Sequence, residues 1–419
     1  MSEKVIALAE RLKKQAREGV MQFWLDYGID EEYGGYWTDL ERDGSRYGEG
    51  TKWVIVQMRT VYSMCLAYQF FGEQVFLDQA AQGAAFFRAH FRDEANGGWY
   101  QSVSRDGQSV VDPSKQPYGQ SFISYGLAEY ARLSGDEGAL ADAIYTHDTV
   151  MEHCWDRVYG GLPNQFSPHW QLVNGIKRVD THMHTMEGVS ALYYATGDAR
   201  YLQRLNLLAD TILSPIGAGG CYDVEYGCTH EMFYADWVEA LSHTHGATNF
   251  GHVTEAGWFI AKVAAYTGNE RQFKLAKGLI DWANEYGWDA ERGGQFNYGM
   301  PSGEIYDDKK VWWNQGEVLG ALAFLYRLTG EESYFSRLEE HVAFIERDLW
   351  DQEHGEWYPM LNADGSVHMG ARGLADRKGS PHKCPYHVVQ GLYHAYRDLL
   401  RAADQETVAE PKQWGDFCL

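Results

Sequence analysis

Three short stretches concentrate the side chains able to move protons. In DTHMHTME (180–187), His184 and Glu187 stand three residues apart and share a face on a helix, whereas His182 and His184 point in different directions. FGHVTEAGW (250–258) repeats the spacing with His252 and Glu255. In KGSPHKCPYHVVQ (378–390), Pro385 precedes a helix whose first turn holds His387, and His382 lies just upstream. Arg59, in VQMRTVY, adds a fixed positive charge, and WWNQGE (312–317) opens a helix with Trp312 and Trp313. Imidazole titrates near about 6.5, so it can accept or donate a proton close to neutrality. A guanidinium nearby stabilises a developing oxyanion. One histidine in such a helix is more often structural than catalytic, but three such motifs at equivalent ends of different helices argue for a shared site.

Other chemistries fit these residues less well. His182, His184 and Glu187 form an HxHxxE string rather than HExxH, and because positions i and i+2 diverge on a helix, chelation would need an extended backbone; no metal is expected. No glycine-rich turn matches GxxxxGKS/T, and no Ser or Cys sits in a nucleophile elbow. No cofactor is therefore expected.

The elements that must position these residues follow from a repeat. A Gly-Gly-aromatic signature closed by a polar turn recurs at 33–44, 96–107, 159–166, 292–303 and 354–365, each reading as a β-hairpin. Between the hairpins lie long segments with apolar residues at helical spacing, about twelve helices in all. Stops such as SGDEGAL (134–140), TGDARY (196–201), TGNERQ (267–272) and TGEESY (329–334) end one helix and begin the next, so the two lie antiparallel. Every second helix starts near 53, 118, 182, 251, 312 and 386. Helical hairpins of even length, with alternating short and long links, predict an all-α (α/α)6 barrel with short β-hairpins on the active-site face. One domain is expected over 1–403, with 404–419 a polar tail on its surface.

Composition bounds the function. The chain has 419 residues, 45% of them hydrophobic, which supplies a large core and excludes overall disorder. With 36 basic and 59 acidic side chains the formal charge is −23, which argues against nucleic acid and against an anionic membrane surface. No run approaches the roughly 18 apolar residues of a membrane span. The six cysteines form no C-x-x-C pair and the N-terminal segment reads as a charged amphipathic helix, so reduced thiols in the cytoplasm are expected.

At THMHTMEG (181–188), GHVTEAGWFI (251–260), KKVWWNQGEVLGAL (309–322) and KCPYHVVQGLY (383–393) the sequence resembles the N-acylglucosamine 2-epimerase superfamily, which also holds cellobiose 2-epimerase, mannose isomerase, mannose 2-epimerase and sulfoquinovose isomerase. The resemblance runs from EEYGGYW near residue 33 to about 393. It implies an (α/α)6 barrel with a metal-free site in its mouth, acting at C2 of an aldose. It also implies roles: His252 and His387 as the acid/base pair, Arg59 holding the sugar oxygen, His184 contacting substrate during ring opening, Glu255 assisting the histidine one turn earlier, and Trp313 as an aromatic wall. Asp180 stands where many members have Asn, and His382 where the cellobiose and N-acylglucosamine enzymes tend to have Trp. Asp180, His182, Trp312, Trp357 and His382 complete the expected substrate-binding set.

The C2 proton of an aldose is acidic only when C1 is a carbonyl, so the ring must open before a base forms a cis-enediolate. Return of a proton to C2 from the opposite face gives the epimer; delivery to C1 gives a ketose. The reading is an isomerase or 2-epimerase of a free hexose, mannose first, with cellobiose or N-acylglucosamine as alternatives. A small sugar is the expected partner, and the chain is expected to act as a monomer or homodimer. Rivals from other classes are an inverting glycoside hydrolase using Asp180 and Glu255 and a non-catalytic sugar-binding protein.

Overall fold

A computed structural model of the chain describes residues 2–370 and 376–404; most of the 404–419 tail lies outside the described residues. In chain order the first helices are α1 (Ser2–Lys14), which runs through a π-helical stretch (Gln15–Met21) into α2 (Gln22–Tyr27), then α3 (Val54–Phe71), α4 (Gln74–His90), α5 (Pro117–Ser134) and α6 (Glu137–His153). They are followed by α7 (Val179–Thr196), α8 (Ala199–Leu213), the short α9 (Leu241–Thr244), α10 (Phe250–Thr267) and α11 (Glu270–Tyr286). The last are α12 (Trp312–Thr329), α13 (Glu332–Phe344) and α14 (Tyr386–Ala403).

The helices fall into two layers for a reason visible in their sequences. Helices such as α3, α10 and α12 are buried around nearly their whole circumference, whereas α8 and α11 carry a single apolar stripe. The first kind packs in sequence, α3 on α5, α5 on α7, α7 on α10, α10 on α12 and α12 on α14, and α14 returns to α3, closing the ring. Each inner helix is backed by an outer one: α4, α6, α8, α11 and α13 back α3, α5, α7, α10 and α12, and α1 backs α14. This is the expected (α/α)6 barrel. Five inner helices end on a left-handed glycine, Gly72, Gly135, Gly197, Gly268 and Gly330, with φ of 67–77°. Asp136, Asp198 and Asn269 then cap the outer helices that follow. No described helix is long and apolar enough to cross a membrane.

The long links on the other face form small antiparallel sheets. β1 (Lys52–Trp53) pairs β2 (Ser102–Val103), which pairs β3 (Val110–Asp112); β4 (Pro163–Phe166) pairs β5 (Leu172–Arg178), which pairs β6 (Met232–Phe233). β7 (Thr248–Asn249), β8 (Tyr298–Gly299) and β9 (Ile305–Asp307) make a third, and β10 (Lys310–Val311) with β11 (Met360–Leu361) a fourth. β1 and β2 come from successive links, so the sheets stitch neighbouring repeats together rather than closing each link on itself.

Every long link opens with the same turn. The carbonyl of Asp30 accepts from Gly34 N–H, and the N–H of Asp30 donates to the carbonyl of Gly35; Asp93, Asp156, Asp289 and Asp351 repeat both bonds. A sixth copy begins at Asp223, bonded to Gly227 and Cys228. In five copies a fully buried lysine reaches back to the turn: Lys52–Asp30 at 3.0 Å, Lys115–Asp93 at 2.8 Å, Lys177–Asp156 at 2.8 Å, Lys310–Asp289 at 2.6 Å and Lys378–Asp351 at 3.1 Å. In the Asp223 copy His230 takes that part, at 3.1 Å.

Candidate active site

The N-terminal ends of the inner helices converge on one cavity of about 200 Å3. Nearly all the residues expected from sequence meet there: Arg59 from α3, Asp180 and His184 from α7, His252 and Glu255 from α10, Trp312 and Trp313 from α12, and His387 from α14, with His382 exposed at the rim. Tyr118, at the start of α5, and Arg178, at the end of β5, complete the lining without having been anticipated.

Each imidazole is held through Nδ1 by a carboxylate. His184 lies 2.6 Å from Glu187, one turn along α7, as the i, i+3 spacing predicts. His387 lies 2.7 Å from Glu317 of α12. His252 lies 2.6 Å from Glu231, a residue of the link before α10. With Nδ1 engaged, Nε2 is left for the cavity in each case. Trp313 stands beside both outer members of this set, its ring 4.8 Å from that of His252 and 5.6 Å from that of His387.

The two histidines are pushed in opposite directions. Burial opposes the charged form of His252, but Glu231, Asp180 and Glu255 outweigh it and raise its pKa to about 9. Burial lowers His387, and the nearby positive charge of Arg59 pushes it further below the ordinary imidazole value. At neutral pH these surroundings favour the imidazolium at His252 and the free base at His387. Asp180 is raised by burial, yet Arg178 and His252 outweigh that and keep it well below the carboxylate range. Arg178 grips it at two points, 3.0 Å from Nε to Oδ1 and 2.6 Å from the terminal nitrogen to Oδ2.

Arg59 is fixed by its surroundings. Its guanidinium carbon sits 4.1 Å from the centre of the Phe122 ring and 4.7 Å from that of Tyr386, and it donates to the Tyr118 hydroxyl at 2.9 Å. Glu187 also accepts from Tyr386 Oη and, at 3.1 Å, from Gln390. Neither carboxyl oxygen of Glu255 has a hydrogen-bond partner, and burial together with Glu317 and Glu187 raises its pKa well above the usual value.

Three expectations are corrected. His182 is fully buried outside the cavity, with Nδ1 2.7 Å from the Arg178 carbonyl and Nε2 accepting from Leu162 N–H at 3.0 Å; both nitrogens are spent on backbone, because the helix turns it away from His184. Trp357 is fully buried in its hairpin and does not line the cavity. Glu231, not Glu255, is bonded to His252, and Glu255 lies 3.9 Å from His184 Nδ1 instead. Glu231 escapes sequence reasoning because it reaches His252 from the preceding link, 21 residues away, in a stretch, YGCTHE (226–231), that has no aromatic after its glycine to mark it as a copy of the repeat.

Among the described residues, two sets bring potential metal donors within 4.8 Å of one another, His184–Glu187–Glu255 and Glu255–Glu317–His387. Metal binding needs deprotonated donors. Here burial holds Glu255, which is common to both sets, well above the carboxylate range, and Nδ1 of His184 and of His387 is already bonded to Glu187 and Glu317. The donor chemistry is that of a proton-sharing network, and we assign no ion to it.

Comparison with known proteins gives the same answer from an independent direction. The sequence profile described as N-acylglucosamine 2-epimerase (GlcNAc 2-epimerase) matches residues 35–389. The chain is 26% identical over 394 residues to a cellobiose 2-epimerase of Bacteroides fragilis, covering 91% of this chain and 96% of that one. It is 25% identical over 389 residues to a D-mannose isomerase of Marinomonas mediterranea, covering 91% and 95%. Its fold superposes on the structure of cellobiose 2-epimerase from Bacillus thermoamylovorans with a TM-score of 0.84 at 22% identity, covering 93% of this chain and 99% of that one. The chain belongs to the N-acylglucosamine 2-epimerase family and is an enzyme of the carbohydrate epimerase and isomerase class.

Proposed function

We propose that this enzyme interconverts C2 epimers of an unphosphorylated aldose through a cis-enediolate. The single observation that carries the reading is that His252 and His387 line one cavity, each held through Nδ1 by a glutamate, in surroundings that push His252 up and His387 down. Once the ring has opened and C1 is a carbonyl, His387 Nε2 removes the C2 proton and the electron pair moves onto the C1 oxygen. Arg59 and His184 stabilise the enediolate oxygens. His252 Nε2–H then returns a proton to C2 from the other face as the carbonyl re-forms. Proton exchange with water at the mouth restores the charged His252 and neutral His387.

The names of the relatives favour 2-epimerisation, of cellobiose or an N-acylglucosamine, and with the cavity of about 200 Å3 they support recognition of one sugar ring at the reducing end. Mannose is the simplest sugar that meets this description. A second reading, aldose–ketose isomerisation, is favoured by the D-mannose isomerase relative and needs only delivery of the proton to C1. The hydrolase reading is disfavoured by Asp180, whose carboxylate is taken up by Arg178 rather than free to activate water.

The test is an NMR time course in deuterated water with mannose, glucose, cellobiose, N-acetylglucosamine and sulfoquinovose. The expected result is a C2 epimer carrying deuterium at C2. A ketose would replace epimerisation by isomerisation. No change in any of these sugars, or release of reducing ends from an oligosaccharide, would overturn the proposal.

A further inference from the structure

We propose that Glu231 is a positioning residue that locks His252 through Nδ1 and fixes which of the two cavity imidazoles carries the proton. The inference rests on the acid/base reading above. Glu231 is 4% exposed and does not line the cavity. Its Oε2 lies 2.6 Å from His252 Nδ1, while its Oε1 accepts from Asn249 N–H at 3.1 Å and lies 3.4 Å from Thr248 Oγ1. Asn249 in turn caps α10, its side chain accepting from the backbone N–H of His252 at 3.1 Å. The carboxylate is therefore fixed at both oxygens, and it fixes both the ring and the helix end that carries it.

The repeat supplies a second, independent observation. Lys52, Lys115, Lys177 and Lys310 each sit two residues ahead of an inner helix, fully buried on a turn aspartate. Two residues ahead of α10 the chain has Thr248, and Asp223 is partnered by His230 instead. A lysine at 248 would place an ammonium in the pocket that holds Glu231 and compete with His252 for it. The repeat departs from its rule at the copy where a carboxylate must serve the site.

The groups facing His252 account for its charge from every side. Glu231 lies on the link, with the Tyr298 hydroxyl of β8 close to it; Asp180, paired with Arg178, comes from the start of α7; Glu255 is on the same helix; His387 faces it from α14, and the Trp313 ring from α12. Burial opposes the charge, and among the described residues Glu231 is the one carboxylate bonded directly to the ring.

The experiment pairs Glu231→Gln with Glu231→Asp, each checked by circular dichroism. In labelled protein without sugar, the His252 titration by NMR should lie near 9 in the parent chain. It should fall by at least one pH unit in Glu231→Gln and by less in Glu231→Asp. The alkaline limb of kcat/KM should move down in step, with kcat at pH 8 falling about twofold for a one-unit shift and about tenfold for a two-unit shift in Glu231→Gln, KM little changed and partial recovery in Glu231→Asp. An unmoved His252 titration overturns the proposal, and so does a moved titration with an unmoved rate profile. Because the titration needs no substrate, it decides the hold of Glu231 on His252 even if the epimerase reading fails.

Discussion

A proton moved between two faces of one carbon needs a donor and an acceptor at the same pH, and two identical imidazoles in identical surroundings would supply two of one kind. Here the surroundings differ. His252 faces Glu231 and Asp180, and His387 faces Arg59. The rate should therefore be flat across neutral pH. It should fall on the acid side only well below the ordinary imidazole range, where His387 becomes protonated, and on the alkaline side near 9, where His252 loses its proton. The same shift is a stability statement. A folded pKa raised from about 6.5 to about 9 stabilises the fold fully below 6.5, by roughly 3 kcal/mol, and that contribution disappears as pH rises through 9. Melting temperature against pH should show a decline over that window which Glu231→Gln flattens. Substituting His387 by alanine should lower kcat about 10²–10⁴-fold while leaving far-UV circular dichroism unchanged, and retained turnover would exclude it as the base. Of these contacts only the local one was legible in advance. His184 and Glu187 share a helix face by arithmetic, whereas Glu231 and Glu317 reach their histidines from other elements, across 21 and 70 residues, and no spacing rule reports such a meeting.

At the scale of elements, two features hold the histidines at their separation. The first is the buried Lys–Asp staple at the root of five of the links. Lys115→Met should leave Asp93 as an uncompensated buried charge and destabilise the fold by about 3–5 kcal/mol, read as a shift in the urea midpoint. The double change with Asp93→Asn should recover part of that loss. The second is the close crossing of α12 and α14. A Cβ on Gly391 would strike the carbonyl oxygen of Gly316, which is backbone and cannot turn aside, so Gly391→Ala must push the two helices apart. The neighbours of these glycines are Glu317, the partner of His387, and Gln390, a donor to Glu187. Both stability and kcat should fall, overpacking of this kind costing about 1–3 kcal/mol or more. The helices themselves were readable from sequence because their stops are local: a glycine that can take positive φ, then a capping Asp or Asn. Inner starts expected near 53, 118, 182, 251, 312 and 386 appear at 54, 117, 179, 250, 312 and 386. The sheets were only half readable. A turn announces itself, but strand pairing between links two helices apart does not, and an aromatic in a hairpin, such as Trp357, carries no local sign of whether it faces the cavity or the core.

For the whole molecule, closure of the ring and total charge set what reaches the site. The first helix backs the last and so completes the outer layer, and His387 stands at the start of that same last helix, α14. The formal charge of −23 surrounds a cavity whose own wall carries Arg59, Arg178 and a protonated His252. A neutral sugar feels no net force in that field, and its approach is governed by diffusion and fit. kcat/KM for an uncharged aldose should therefore stay constant within about twofold between roughly 20 and 500 mM salt, over which the Debye length shrinks severalfold. An anionic sugar would be repelled at long range by the acidic surface, and its kcat/KM should rise as salt screens that repulsion. Measuring both on one preparation separates the two substrate classes without a structure of either complex. A salt-dependent rate for the neutral sugar would mean that a charged surface group moves during binding, and it would remove the rigid preformed cavity from the account of how this enzyme recognises its substrate.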